Sequence, residues 1–120
     1  MGINNFLLVG AGGAIGSMLR YATSLLIVTR IFPLATFTVN IAGSFLIGIL
    51  LGLSTRNNIT DLGWQFLAVG VCGGFTTFSA FSLEGFKLLQ QQRYFIFLLY
   101  FVISIVAGVL STYAGYILSK

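Results

Sequence analysis

Gly73-Gly74-Phe75-Thr76-Thr77-Phe78-Ser79-Ala80-Phe81 lies inside an apolar segment, residues 62–83, that carries no charge. Two adjacent glycines lower helix propensity, and two β-branched threonines follow them. In a segment that crosses lipid, this combination suggests a broken helix. A break releases backbone carbonyls and amides that hydrocarbon cannot satisfy, so they must face protein, an ion or water. Interrupted helices at mid-membrane are where transporters and channels place ion sites. The competing reading is that Gly73-Gly74 only allows close helix packing. Spacing alone leaves both open.

Composition sets the setting. The chain has 120 residues, 58% hydrophobic and 7% charged, with a mean hydropathy of +1.03. A soluble domain carries about 25% charged residues. The sequence is that of an integral membrane protein, and residues 1–120 read as one small unit. The net charge is +4. The basic residues flank apolar runs, so interface anchoring fits better than nucleic-acid binding. A single cysteine, Cys72, excludes an internal disulfide and reads as a small packing residue. Histidine is absent, which removes the commonest general base and metal ligand. Arg20 follows the first apolar run rather than preceding it, so that run reads as a retained membrane segment and not a cleaved leader.

Uncharged runs predict four spans, roughly 4–28, 34–54, 62–91 and 95–118, since a crossing helix needs about 20 apolar residues. The joints are short, which implies antiparallel neighbours. Pro33 suits the first turn of the second helix, and Thr60 or Asp61 can cap the third. Gly12/Gly16, Gly48/Gly52 and Gly70/Gly74 form G-x-x-x-G pairs that let backbones approach closely. With four spans, Arg56 and Lys120 share one side, and Arg30, Lys87 and Arg93 the other. This near balance gives no firm orientation and permits insertion both ways.

Few side chains can carry chemistry. The run Gly10–Gly16 misses the dinucleotide fingerprint in its glycine spacing, acidic partner and context. Arg20 sits within an apolar segment, where a cation costs about 3 kcal/mol on insertion scales. It either snorkels to the surface or faces a watery vestibule that would concentrate anions. Thr36, Asn40 and Ser44 share one helical face, as do Tyr100, Ser104 and Thr112 in the last span. Interhelical hydrogen bonding competes with a polar path for both stripes. Phe78 and Phe81 are i, i+3 neighbours beside the suspected break, and the positive edge of a phenyl ring can contact a small anion. Of the two acids, Glu84 is best read as pairing with Lys87 near the surface.

These residues resemble the Fluc (CrcB) family of fluoride channels over essentially the whole chain. Residues 12–21 resemble its G-G-x-x-G-x-x-x-R-Y/W segment, 36–40 its T-x-x-x-N segment, and 72–81 its C-G-G-x-T-T-F-S-T-F core. The resemblance implies an all-α membrane protein with four transmembrane helices, the third broken mid-membrane, in an antiparallel dual-topology dimer. It further implies two fluoride pores per dimer. Backbone carbonyls of Gly73 and Thr76 from both subunits would hold a structural Na⁺. Phe78 and Phe81 match the phenylalanines along the pores, Asn40 the pore asparagine and Arg20 the vestibule arginine. Thr36, Ser79, Tyr100, Ser104 and Thr112 fall at polar positions of the path. Ala35, Ala80 and Gly108 depart from the residues usual there. Passive fluoride efflux across the cell membrane follows as the implied function. A homodimer is favoured, because every main motif is kept, while a heterodimer with a second chain is the other arrangement known for the family.

A small multidrug/proton antiporter shares the size and dual topology. It needs a carboxylate deep in the first span, and none is there. The absence of histidine, a lone cysteine and unclustered acids argue against an enzyme.

Overall fold

The computed structural model describes residues 2–120 and is helical throughout its main elements. Helix α1 spans Ile3–Leu26, α2 Leu34–Thr55, α3 residues 61–75, α4 Phe78–Gln90 and α5 Tyr94–Ser119. Its longest extent, 47 Å, is close to the thickness of a bilayer with its headgroups, about 40–45 Å. Among the described residues, α2, the α3–α4 pair taken as Asp61–Gln90, and α5 are long and apolar enough to cross a membrane. Helix α1 has the length, at 24 residues, but Asn4, Asn5, Arg20 and its glycines leave it less apolar. Four spans were expected; three meet both criteria.

Local chemistry explains the ends. The Thr60 hydroxyl accepts the Gly63 N–H at 3.0 Å, so Thr60 and not Asp61 caps α3. Pro33 precedes α2 rather than lying in its first turn. Asn57 and Gln92 take left-handed conformations, φ 57° and 59°. Each closes a helix: Asn58 N–H returns to the Leu53 carbonyl and Arg93 N–H to the Leu88 carbonyl, both at 2.9 Å.

Helix α1 packs along α3, and α2 along α5. Small residues set the first of these contacts. A Cβ on Gly16 would run into the Val71 carbonyl and come within 2.7 Å of the Phe75 nitrogen. Both obstacles are backbone and cannot swing aside. Gly16→Ala is therefore expected to destabilise the protein by about 1–3 kcal/mol, seen as a lower thermal unfolding midpoint in detergent. An unchanged midpoint would mean that α1 and α3 do not pack this closely. On the other seam, Gly48 faces the Thr112 carbonyl and Gly115 that of Phe45.

The third membrane segment is two helices. Residues Gln65–Cys72 wind as a wide π-helix, a rare form that is frequent at functional sites. The chain returns to α geometry at Gly73–Phe75. Thr76 and Thr77 then adopt extended backbone, with ψ of 157° and 123°. Gly73 and Gly74 themselves remain helical, so the interruption falls three residues later than glycine propensity suggests. The interior divides at the same point. Leu50, Ala68 and Cys72 form one buried cluster on the α3 side. Phe81, Leu88 and Tyr100 form another on the α4 side. Large apolar side chains such as Phe95, Val109 and Leu118 cover the outside, a surface made for lipid or a partner chain.

Candidate functional site

The interruption changes the fate of every nearby peptide group. In an unbroken helix the Thr77 N–H would bond to the Gly73 carbonyl and the Ala80 N–H to that of Thr76. Here Thr77 N–H donates to Asn40 Oδ1 at 2.8 Å. Ala80 N–H donates to Thr77 Oγ1 at 3.2 Å, capping α4. The Gly73, Phe75 and Thr76 carbonyls thus lose their helical donors, Phe75 because Ser79 now stands in the first turn of α4. Their neighbours do find donors: Arg20 Nε reaches the Gly74 carbonyl at 3.1 Å, and Asn40 Nδ2 the Thr77 carbonyl at 3.2 Å. The Cys72 carbonyl accepts both the Thr76 N–H, at 3.0 Å, and the Thr76 hydroxyl, at 2.8 Å. Gly73 is exposed, and a Cβ there would meet nothing within 4 Å.

A groove of about 330 Å³ runs past this point, lined by Asn40, Ser44, Gly73, Thr76, Thr77, Phe78 and Phe81. It brings together the two residues expected at a cation and three of those expected along an anion path. Asn40 does not project freely into it. Its side-chain oxygen and one amide hydrogen are held by the Thr77 backbone, which leaves one N–H to donate. The Phe78 ring is 78% exposed, whereas Phe81 is 8% exposed. Their centroids lie 5.9 Å apart. Phe81 also rests on Phe101 at 4.3 Å and on Tyr100 at 5.0 Å. Ser79 Oγ is exposed and 3.2 Å from Thr77 Oγ1.

Tyr100 has no exposed surface. Its hydroxyl, and that of Ser104 one turn on, are buried without a hydrogen-bond partner among the described residues. Leaving a hydroxyl unpaired in an apolar interior costs about 1–3 kcal/mol, so two on one helical face ask for a guest. Thr112, on the same face, differs. Its hydroxyl donates to the Ser44 carbonyl at 3.0 Å and to that of Gly108 at 3.1 Å, which ties α2 to α5.

A second, smaller groove of about 140 Å³ is lined by Arg20, Tyr21, Ser24, Thr36, Thr77 and Glu84, among others. Thr77 lines both grooves. The half-buried Arg20 does not merely snorkel, because its Nε is fixed on α3 and the residue lines this groove. Thr36 is buried and donates its hydroxyl to Glu84 Oε1. Pairing with Lys87 had been expected of Glu84; the carboxylate instead joins the wall that holds Arg20. A carboxylate placed directly after the uncharged run of residues 62–83, three residues past Phe81, was the available signal. Thr77 went unassigned because its bonds to Asn40 are made by its backbone. Among the described residues no three histidine, cysteine or acidic side chains cluster as metal ligands.

The family model described as "CrcB-like protein, Camphor Resistance (CrcB)" matches residues 7–116. The chain is 51% identical over 122 residues to the fluoride-specific ion channel FluC of Azobacteroides pseudotrichonymphae, covering 98% of each chain. It is 45% identical to that of Flavobacterium psychrophilum, covering 93% of this chain and 94% of the other. It is also 45% identical to that of Thermus thermophilus, covering 97% and 94%. Helical architecture, end-to-end coverage and the motifs around the interruption agree, and the chain belongs to the CrcB family.

Proposed function

We infer that this protein is a fluoride channel, letting fluoride leave the cytoplasm passively across the cell membrane. The relatives' names give the ion. The observation that carries the reading is the interruption at Thr76-Thr77, with carbonyls lacking their helical donors, those of Gly73 and Thr76 among them, beside a groove edged by Phe78 and Phe81. Fluoride is small and strongly hydrated, so a path must replace its water with donors and positive edges. The free Asn40 N–H, the Ser79 hydroxyl, the unpaired Tyr100 and Ser104 hydroxyls and the phenyl edges are such groups. Thr36 belongs to the same path through the Arg20 vestibule. Thr112 joins it only with a hydroxyl already donated to carbonyls.

The interruption lies mid-membrane in this reading, and a second copy packs antiparallel against the groove to give two pores. The groove is open and Phe78 exposed, as a surface awaiting a partner would be. Gly73 and Thr76 fit a Na⁺ seat: neutral carbonyl oxygens from an unwound segment are what membrane proteins offer that ion. Two from each subunit would converge at the interface. Bound there, Na⁺ satisfies the carbonyls and adds positive potential near the anion path.

Reconstitution in liposomes loaded with potassium fluoride tests the function. Opening a potassium path with valinomycin is expected to release fluoride, read by an electrode, and to release no chloride from chloride-loaded liposomes. Equal release of both ions, or of neither, would contradict the reading.

A further inference from the structure

Five carbonyls, from Gly73 to Thr77, surround the interruption, and the two assigned above to the cation are separated by Gly74 and Phe75. Successive helical carbonyls turn by about 100°. The rule holds for Gly73 and Gly74, which are helical, so their carbonyls stand apart around the helix, whereas the extended backbone of Thr76 turns its carbonyl out of that sequence. We propose that Arg20 is a positioning residue for the cation seat: by holding the Gly74 carbonyl, it fixes the last turn of α3 so that Gly73 and Thr76 present theirs together. This rests on the Na⁺ seat inferred above.

Two independent observations support it. Arg20 Nε donates to the Gly74 carbonyl at 3.1 Å from a different helix. The same turn is gripped by the α1 backbone, since a Cβ on Gly74 would come within 3.0 Å of Gly13 Cα and one on Gly16 within 2.7 Å of the Phe75 nitrogen. Helix α1 thus clamps residues 74–75 by contact and by one charged hydrogen bond. Nε is only one of five guanidinium N–H donors. The same side chain lines the groove that Thr36 and Glu84 border. One planar side chain joins the cation seat to the anion vestibule, and a lysine lacks the fork to do both.

The sign of the effect separates positioning from simple charge. If Arg20 acted on Na⁺ only through its charge, neutralising it would remove a repulsion and tighten Na⁺ binding. If it positions the carbonyls, its loss weakens Na⁺ binding, by about tenfold or more as for other groups that orient metal ligands. The test is a Na⁺ titration of the purified protein in detergent, with N-methyl-D-glucamine keeping ionic strength constant. The readout is the thermal unfolding midpoint. Both Arg20→Gln and Arg20→Lys are expected to need about tenfold more Na⁺ for half-maximal stabilisation. Unchanged or lower Na⁺ requirements in both variants, against a Na⁺-dependent wild type, would overturn the positioning role and leave the seat standing. A wild type indifferent to Na⁺ would overturn the seat and this inference together. Should neither variant fold, carbonyl-¹³C NMR of the wild type decides. Exchange of Na⁺ for N-methyl-D-glucamine is expected to move the Gly73 and Thr76 resonances and leave Gly74 in place; equal movement at Gly74 would overturn the proposal.

Discussion

Phe78→Ile is expected to reduce fluoride efflux from liposomes by about a hundredfold, equivalent to about 2.7 kcal/mol on the barrier, while the protein still folds and dimerises. Each half of that expectation has its own physical basis. The ring is 78% exposed in the single chain, so exchanging it for another apolar side chain removes little contact within the chain, and an apolar side chain remains for any partner surface to cover. The aromatic edge is what isoleucine cannot reproduce. A branched alkyl group has no quadrupole, and a desolvated fluoride ion beside it loses its positive partner. Phe81 tests the same idea less cleanly, because its ring stacks on Phe101 and meets Tyr100, and its replacement disturbs packing as well. Electrode-measured efflux and size-exclusion profiles of Phe78→Ile check the expectation together. Wild-type flux from the variant would mean that the ring is a lipid or interface contact only.

Asn40→Asp is expected to lower efflux by at least tenfold and also to destabilise the fold. Asparagine serves the Thr77 peptide on both sides, accepting its N–H at 2.8 Å and donating to its carbonyl at 3.2 Å. An aspartate keeps the first bond and turns the second into two facing oxygens. Losing a donor to a buried carbonyl costs about 1–3 kcal/mol. The new negative charge stands in a groove proposed to admit an anion, which raises the barrier further. The two effects separate experimentally. Asn40→Ala is expected to share the loss of thermal stability without adding charge, and so to retain more flux than Asn40→Asp. Equal flux in the two variants would remove Asn40 from the anion path, and equal stability with wild type would remove it from the interruption.

Much of the scaffold was legible because lipid imposes a simple rule. Uncharged runs bounded by Arg30, Arg56 and Arg93 predict the observed starts and stops within a few residues, since a charge in hydrocarbon is costly and each helix satisfies its own backbone. The motif at 72–81 marked the right place for an unusual backbone, and within it the extended residues are the threonines and not the glycines. Gly74 packs closely on Gly13, while Gly73 beside it stays helical with open space around it. The extended residues are Thr76 and Thr77, whose geometry depends on Asn40, 37 residues earlier. No local signal encodes such a partner. The same holds for Arg20 on Gly74 and for Thr36 on Glu84, where side chains from separate helices decide which polar group is satisfied. The π-helical turns of Gln65–Cys72 were equally hidden, because hydrophobic periodicity over eight residues hardly distinguishes them from α turns.

The account depends on what the Thr76-Thr77 interruption presents on its open side. An experimental structure of the Na⁺-bound protein in a lipid nanodisc examines this most directly. Two antiparallel copies are expected, with ion density between the Gly73 and Thr76 carbonyl oxygens of both at mid-bilayer, and with the Phe78 and Phe81 rings bordering a polar passage. A continuous helix through residues 61–90 with Phe78 turned to lipid, or an interface without ion density between those carbonyls, would contradict it.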